Sequence, residues 1–314
     1  MTWAMGSKGR LAIDFETVYG TTPGTPAGKT MPIHKSSISG KQNLVSSATI
    51  IGRRDPVQPS LGNIDVSGNV VVPLTVRDIG FWLKAAFGAP VTSGSGPYVH
   101  TYKIGNTQPS MVLEQGFTDV GQYFLYNGCK VSKMSFSFGG DGELTVSIDV
   151  MGAKETLSIT SFDSTMDAAV YAPFGNFQAA ITEGGAAIAI CTEVTIDVDF
   201  GLDGATYCIG GAGARSALAE GNVTVTGKVK AMFQDAVLLA KAIAGTESAL
   251  KITLTNGAHI LEITVPELMY GRQAPAIDGP KGVYVDLPFT GYYQNDAINS
   301  AIQVKLTNDV TTYA

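Results

Sequence analysis

"GNIDVSGNV", residues 62–70, alternates Ile and Val with short polar residues and carries a glycine at its start and another near its end, the pattern of a β-strand with one buried face. It recurs as "GNVTVTGKV" at residues 221–229, an offset of 159 in a chain of 314, and more loosely as "GELTVSIDV" at 142–150. The residues downstream of the first two copies also match. After the first, Ile79, Trp82, Leu83, Ala86 and Phe87 fall on one face of a helix that Thr75 or Asp78 can cap and Gly88 can end. After the second, "AVLLAKAIA" lies between Asp235, a possible cap, and Gly245. Strand, connection, helix and glycine stop return in one order at similar spacing, which predicts a duplicated unit. The expected division is an N-terminal arm or loop at 1–35, a first repeat at 36–160, a linker at 161–174, a second repeat at 175–296 and a C-terminal segment at 297–314. Trp82, Leu83 and Phe87, with Leu238, Leu239 and Ile243, are the expected helix residues in the core.

The composition supports a real core, since 45% of residues are hydrophobic, whereas only 15% are charged and 37 are glycine. Short strands joined by tight turns, a mainly β protein, suit these values. A surface so poor in charge suggests assembly with other subunits. A net charge of −6 excludes a protein that grips nucleic acid by neutralising phosphates. Cys129, Cys191 and Cys208 are far apart and form no CxxC pair, so neither a disulfide framework nor a zinc site is expected. The N-terminus has no apolar leader pattern and no apolar run is long enough to span a bilayer, so the expectation is a soluble, unexported chain with no membrane contact.

Strand periodicity separates polar from apolar faces. In "CTEVTIDVDFG", Glu193, Thr195, Asp197 and Asp199 oppose Val194, Ile196, Val198 and Phe200. In "GELTVSIDVMG", Glu143, Thr145, Ser147 and Asp149 oppose Leu144, Val146, Ile148 and Val150. The first quoted strand places Asn63, Asp65 and Ser67 against Ile64 and Val66. Any one such face, taken alone, is the solvent side of a half-exposed antiparallel sheet. Together they carry short Asp, Ser, Thr and Asn where Lys and Arg usually defend edges against strand addition, which predicts a sheet continued by neighbouring subunits.

Reactive constellations are missing from the sequence. His34, His100 and His259 have no partner at metal-ligand or triad spacing. "GGAGARS" at 210–216 lacks the Lys-Ser/Thr ending of a phosphate loop and reads as a flexible loop. "FGGDGEL" at 138–144 reads as a hairpin turn. No catalytic, cofactor-binding or metal-binding residue is expected, which points away from an enzyme and towards a structural or assembly protein.

"FETVYGTTPGTP" at 15–26, the unit from Gly62 to Gly88, "PYVHTYKI" with "PSMVLEQGF" at 97–117, and "GCKVSKMSFSFGGDGELTVSIDVMG" at 128–152 together resemble the major tail tube proteins of long-tailed, siphovirus-like bacteriophages. The resemblance implies a tail-tube-type β-sandwich or half-barrel with a flanking α-helix. It also implies homo-oligomeric rings, a trimer of duplicated chains being slightly preferred over a hexamer, stacked into the tube through which DNA is ejected. The implied location is the virion tail, assembled in the host cytoplasm. The implied partners are the chain itself, other tail proteins such as the tape measure and terminator, and passing double-stranded DNA held without sequence preference. On this reading Asn63, Asp65, Ser67, Glu143, Thr145, Ser147, Asp149, Glu193, Thr195, Asp197 and Asp199 line an acidic lumen. The N-terminal arm, with Glu16 and Tyr19, and the loop with Arg53 and Arg54 contact the next ring. Lys228 and Lys230 depart from the acidic pattern. The competing readings are another tail ring, terminator or baseplate-proximal, and a carbohydrate-binding β-sandwich using Tyr284, Tyr292 and Tyr293.

Overall fold

The computed structural model describes residues 3–188, 190–277, 279–294 and 297–313; the repeat boundary expected at 296 lies outside them. The first half contains β1 (Gly9–Phe15), β2 (Lys29–Met31), β3 (Lys35–Ser36), β4 (Ser39–Val45), β5 (Ser60–Pro73) and helix α1 (Ile79–Phe87). It continues with β6 (Val91–Ser93), β7 (Tyr98–Lys103), β8 (Met111–Phe117), β9 (Gln122–Gly139), β10 (Thr145–Gly152) and β11 (Lys154–Ser158). The second half contains β12 (Ala179–Glu183), β13 (Ala186–Ala187), β14 (Cys191–Asp199), β15 (Thr224–Met232) and helix α2 (Val237–Ala244). β16 (Ser248–Asn256), β17 (His259–Tyr270), β18 (Tyr284–Gly291) and β19 (Gln303–Asn308) complete it.

Antiparallel ladders run in the order β1–β8–β9–β10–β5–β4 in the first half. They run β12–β16–β17–β18–β15–β14 in the second. Taken by position in the chain, these are corresponding strands, and each half carries its helix between the fifth and second members of its ladder. β9 joins the halves: its first part pairs with β8, Lys133–Phe136 lies between β10 and β14, and the ladder to β14 continues to Gly139. One curved run of ladders therefore passes β4–β5–β10–β9–β14–β15–β18 and ends on Leu268–Tyr270 of β17. It is not closed into a barrel within the chain. Alternation explains the shared layer: Met134, Phe136 and Phe138 of β9 are buried on the same face as Val146, Ile148, Val194 and Ile196, in a single apolar cluster spanning both halves. Burying each such side chain contributes about 1.5–3 kcal/mol.

The N-terminal residues differ from the loose arm expected of them. Leu11, Ala12 and Ile13 are buried, and β1 pairs with β8 on one side and β2 on the other. Surrounding Gly, Thr and Pro hid this short apolar run. Carboxylates pin the following loop: Glu16 accepts from the Gly128 N–H at 2.9 Å, Asp14 from Ala27 at 2.9 Å and Asp163 from Gly28 at 2.9 Å. The C-terminal segment is equally integral, with β19 laddered to β17 and β7, and Tyr313 buried with its hydroxyl donating to the Arg77 carbonyl at 2.6 Å.

The helices differ in burial. Trp82, Leu83 and Phe87 of α1 are buried, and Phe87 meets Phe200 edge-on at 5.4 Å. Leu238 and Leu239 of α2 are only partly buried, and Ile243 is 54% exposed, against expectation. α1 is covered a second time by β7 and the Tyr313 ring, whereas α2 leads directly into β16 with no inserted strands to roof it. Asp235 accepts from the Val237 N–H at 2.9 Å, and glycines 88 and 245 end the two helices.

Asp78, at the start of α1, makes no side-chain cap bond, and its Oδ2 is buried without a partner. Burial pushes its carboxyl up to about 6, against the opposing pull of Lys29 and Arg77. Because the folded value exceeds the ordinary 3.8, the folded chain holds this proton longer, and stability falls as pH rises through that window. Asp78→Asn should raise the unfolding midpoint at pH 7.5, by the equivalent of about 2–3 kcal/mol, and leave it nearly unchanged at pH 4. Equal thermal melts of the two proteins at pH 7.5 would refute this.

Candidate functional site

The face of the joined ladders opposite the core is polar, and cross-strand register makes it continuous. One row runs Val71, Ser147, Ser135, Asp197, Thr226 and Thr290 across six neighbouring strands. The next runs Asn69, Asp149, Lys133, Asp199 and Thr224. Short side chains lock together here: Asn69 donates to Ser147 at 2.8 Å and to Asp149 at 2.6 Å, and Ser135 donates to Asp197 at 2.5 Å.

Of the predicted lining residues, Ser67, Thr145, Ser147, Asp149, Glu193, Thr195, Asp197 and Asp199 fall on this face. Asp65 shares it but is held by the buried guanidinium of Arg215. Asn63 lies beyond the last β10 pairing, and Glu143 precedes β10, where it meets His34 at 2.7 Å and accepts from the Tyr171 hydroxyl.

The face is charge-balanced where the sequence predicted an acidic one. Lys133 reaches Asp197 at 3.1 Å, Lys228 reaches Asp286 at 3.7 Å and Lys230 reaches Glu193 at 4.0 Å. Each acid sits one strand away from its lysine, so their pairing depends on register and not on nearness in sequence. All three pairs are substantially solvent-exposed and contribute little to stability. Their effect is to hold the face close to neutral. Sequence reasoning missed Asn69, Lys133, Ser135 and Asp286; the alternation in "SKMSFSF" was the available signal for the middle pair.

The remaining candidates are dispersed. Tyr19 is wedged beside Gly128 within its own chain, and burial raises its phenol well above the usual range. Arg53 pairs with Asp55 at 2.6 Å in an exposed loop that also holds Arg54. Tyr284 and Tyr292 flank opposite ends of β18, about 25 Å apart at the usual strand rise, so they form no common sugar platform. The 210–216 stretch, expected to be flexible, docks instead through Arg215, whose partners include the Val66 and Gly152 carbonyls on distant strands, contacts invisible in sequence. Among the described residues, no three His, Cys, Asp or Glu side chains converge as a metal site, and no helix is long and apolar enough to cross a membrane.

The described residues thus form a continuous polar sheet face, ending at one side on β4, which ladders only to β5. The family described as phage tail tube protein matches residues 6–291, and the chain belongs to that family. Its role is structural, as a component of the virion tail that assembles into a tube with other tail proteins. No curated protein matches the chain.

Proposed function

We propose that the chain is a fused pair of tube units, that three copies close the open sheet into one ring, and that stacked rings form the conduit for DNA ejection. The observation that carries this is the identical ladder order of the two halves, each giving four strands to one continuous sheet. On this reading the corresponding repeats begin at β1 and β12. Closure removes both unpaired edges. The polar face then lines the channel, where near-neutral charge and short Ser, Thr and Asn side chains neither trap phosphates nor exclude them. Electron microscopy of the purified protein tests this: rings of three-fold symmetry with a six-fold pseudo-repeat are expected, and a persistent monomer at high concentration overturns it.

A second test concerns the lining. Replacing both Asp197 and Asp199 with Lys should leave tubes intact, because both side chains lie on the solvent side of β14. The reversal gives a basic band on each chain, and DNA ejection should slow by about tenfold or more in low salt and recover as salt rises. Unchanged ejection in low salt would remove these residues from the channel.

A further inference from the structure

Gly152 stands opposite Val66 in the first half, and Gly291 stands opposite Val225 in the second. These are corresponding sites, but they are covered differently. In the first half the β14–β15 loop seals the site. Gly213 accepts from the Ile64 N–H at 2.8 Å, and Arg215 donates to the Val66 carbonyl at 3.2 Å and the Gly152 carbonyl at 2.8 Å. In the second half, Val223, Val225, Gly291 and Tyr292 line an open cavity of about 610 Å³. Gln108 and Glu220 also line it, and the Gln108 Oε1 is buried without a hydrogen-bond partner. The Gln108 Oε1 is an acceptor suited to a guanidinium, whereas the Glu220 Oε1 is already engaged, accepting from Lys130 Nζ at 2.5 Å and from the Gln108 N–H at 3.0 Å.

The loop that corresponds to β14–β15 is the β4–β5 loop, residues 46–59, and it seals nothing within its own chain. It is exposed throughout nearly all its length, with Ile50 at 94%, and it carries Arg53 and Arg54. The strands that lead into it, β3 and β4, ladder only to β5, and the Gly40 N–H of β4 donates to the Glu155 carboxylate at 2.7 Å. At the other end of the run of ladders, Gly271–Ile277 continues from β17 as Lys133–Gly139 continues within β9. The Gly271 N–H reaches the Pro288 carbonyl at 2.7 Å, but no ladder forms beyond it among the described residues.

We infer that the β9–β14 junction inside the chain is the template for the seam between chains: residues 35–41 of a second copy, β3 and the start of β4, pair antiparallel with Gly271–Ile277, and that copy's 46–59 loop fills the cavity with an arginine in the place of Arg215. This rests on the ring proposed above and specifies its seam. It assigns Arg53 and Arg54 to contacts within a ring, whereas the sequence reading placed them between rings. Register follows from correspondence. Ser135 faces Asp197 at the internal junction, and the matching residues are Gln273 and Ser39.

The test places Ser39→Cys and Gln273→Cys in a Cys208→Ser background, with Ala274→Cys as an alternative partner. Oxidised tubes should yield covalent multimers that stop at the closed ring, and Arg53→Glu with Arg54→Glu should abolish assembly while leaving a folded monomer. Independently, amides of 46–59 and 272–277 in the unmodified protein should exchange at least about tenfold more slowly in tubes than in monomers. Tubes seen by microscopy with no crosslink at either position, or with unprotected amides in both segments, overturn the seam and leave the tube assignment standing. Failure of the unmodified chain to form any ring removes both.

Discussion

Gly227→Val should abolish the folded state of the second half, and Gly68→Val should do the same to the first. The two glycines are 159 residues apart and occupy the same place in the repeated stretch. A Cβ on Gly68 would lie within 3.0 Å of the backbone of Ile38, and one on Gly227 within 3.0 Å of the Thr195 carbonyl oxygen and the Phe289 ring. The neighbouring strand passes over each glycine too closely for any side chain, which explains why a strand otherwise built of Val, Ile and Thr keeps a residue that weakens strands. Overpacking a core costs about 1–3 kcal/mol when side chains can adjust. Here the obstacle includes backbone held in a ladder, so the cost should reach or exceed the top of that range for alanine and be greater for valine. Gly142, with open space where its Cβ would be, is the control, and Gly142→Ala should stay within about 0.5 kcal/mol of the parent. Chemical denaturation would decide it: Gly227→Ala melting like Gly142→Ala refutes the close approach.

These glycines also show how far the sequence could be followed. Alternation and the recurrence of "GNIDVSGNV" foretold the strands, the position of each helix and most of one polar face, because those properties are local and periodic. The Gly68 and Gly227 match was visible as identity, but its cause was not, since Ile38 and Thr195 approach only after the ladders form. The same holds for charge. Lys133, Lys228 and Lys230 neutralise acids on adjacent strands, and a reading along single strands counted Asp197 and Glu193 without their partners. β1 was lost because Leu11–Ile13 is buried on both faces and so shows no alternation. α2 shows the reverse failure: its apolar periodicity is real, but what covers a helix depends on inserted strands elsewhere in the chain.

Arg215→Ala should cost about 3 kcal/mol and release the 201–220 loop from the first half. The guanidinium is 5% exposed and satisfies carbonyls of Gly204, Val66 and Gly152 together with the Asp65 carboxylate. Deleting it leaves buried acceptors unmatched, and hydrogen bonds from a charged donor contribute about 1.5–3 kcal/mol each before water compensates for those it can reach. Asp65 is half-exposed and will be rehydrated, so the loss falls chiefly on the carbonyls at the end of β10. Arg215→Lys should recover only part of the loss, because one ammonium cannot span acceptors arranged around a planar fork. Limited proteolysis within 201–220 should accelerate in the order parent, Lys, Ala, while the buried strands of the sheet keep their protection. Asp65→Asn separates the charge from the geometry: it should have a smaller effect than Arg215→Ala, since three of the four acceptors are carbonyls. Equal effects would mean that the ion pair, and not the capping of the strand ends, holds the two halves in register.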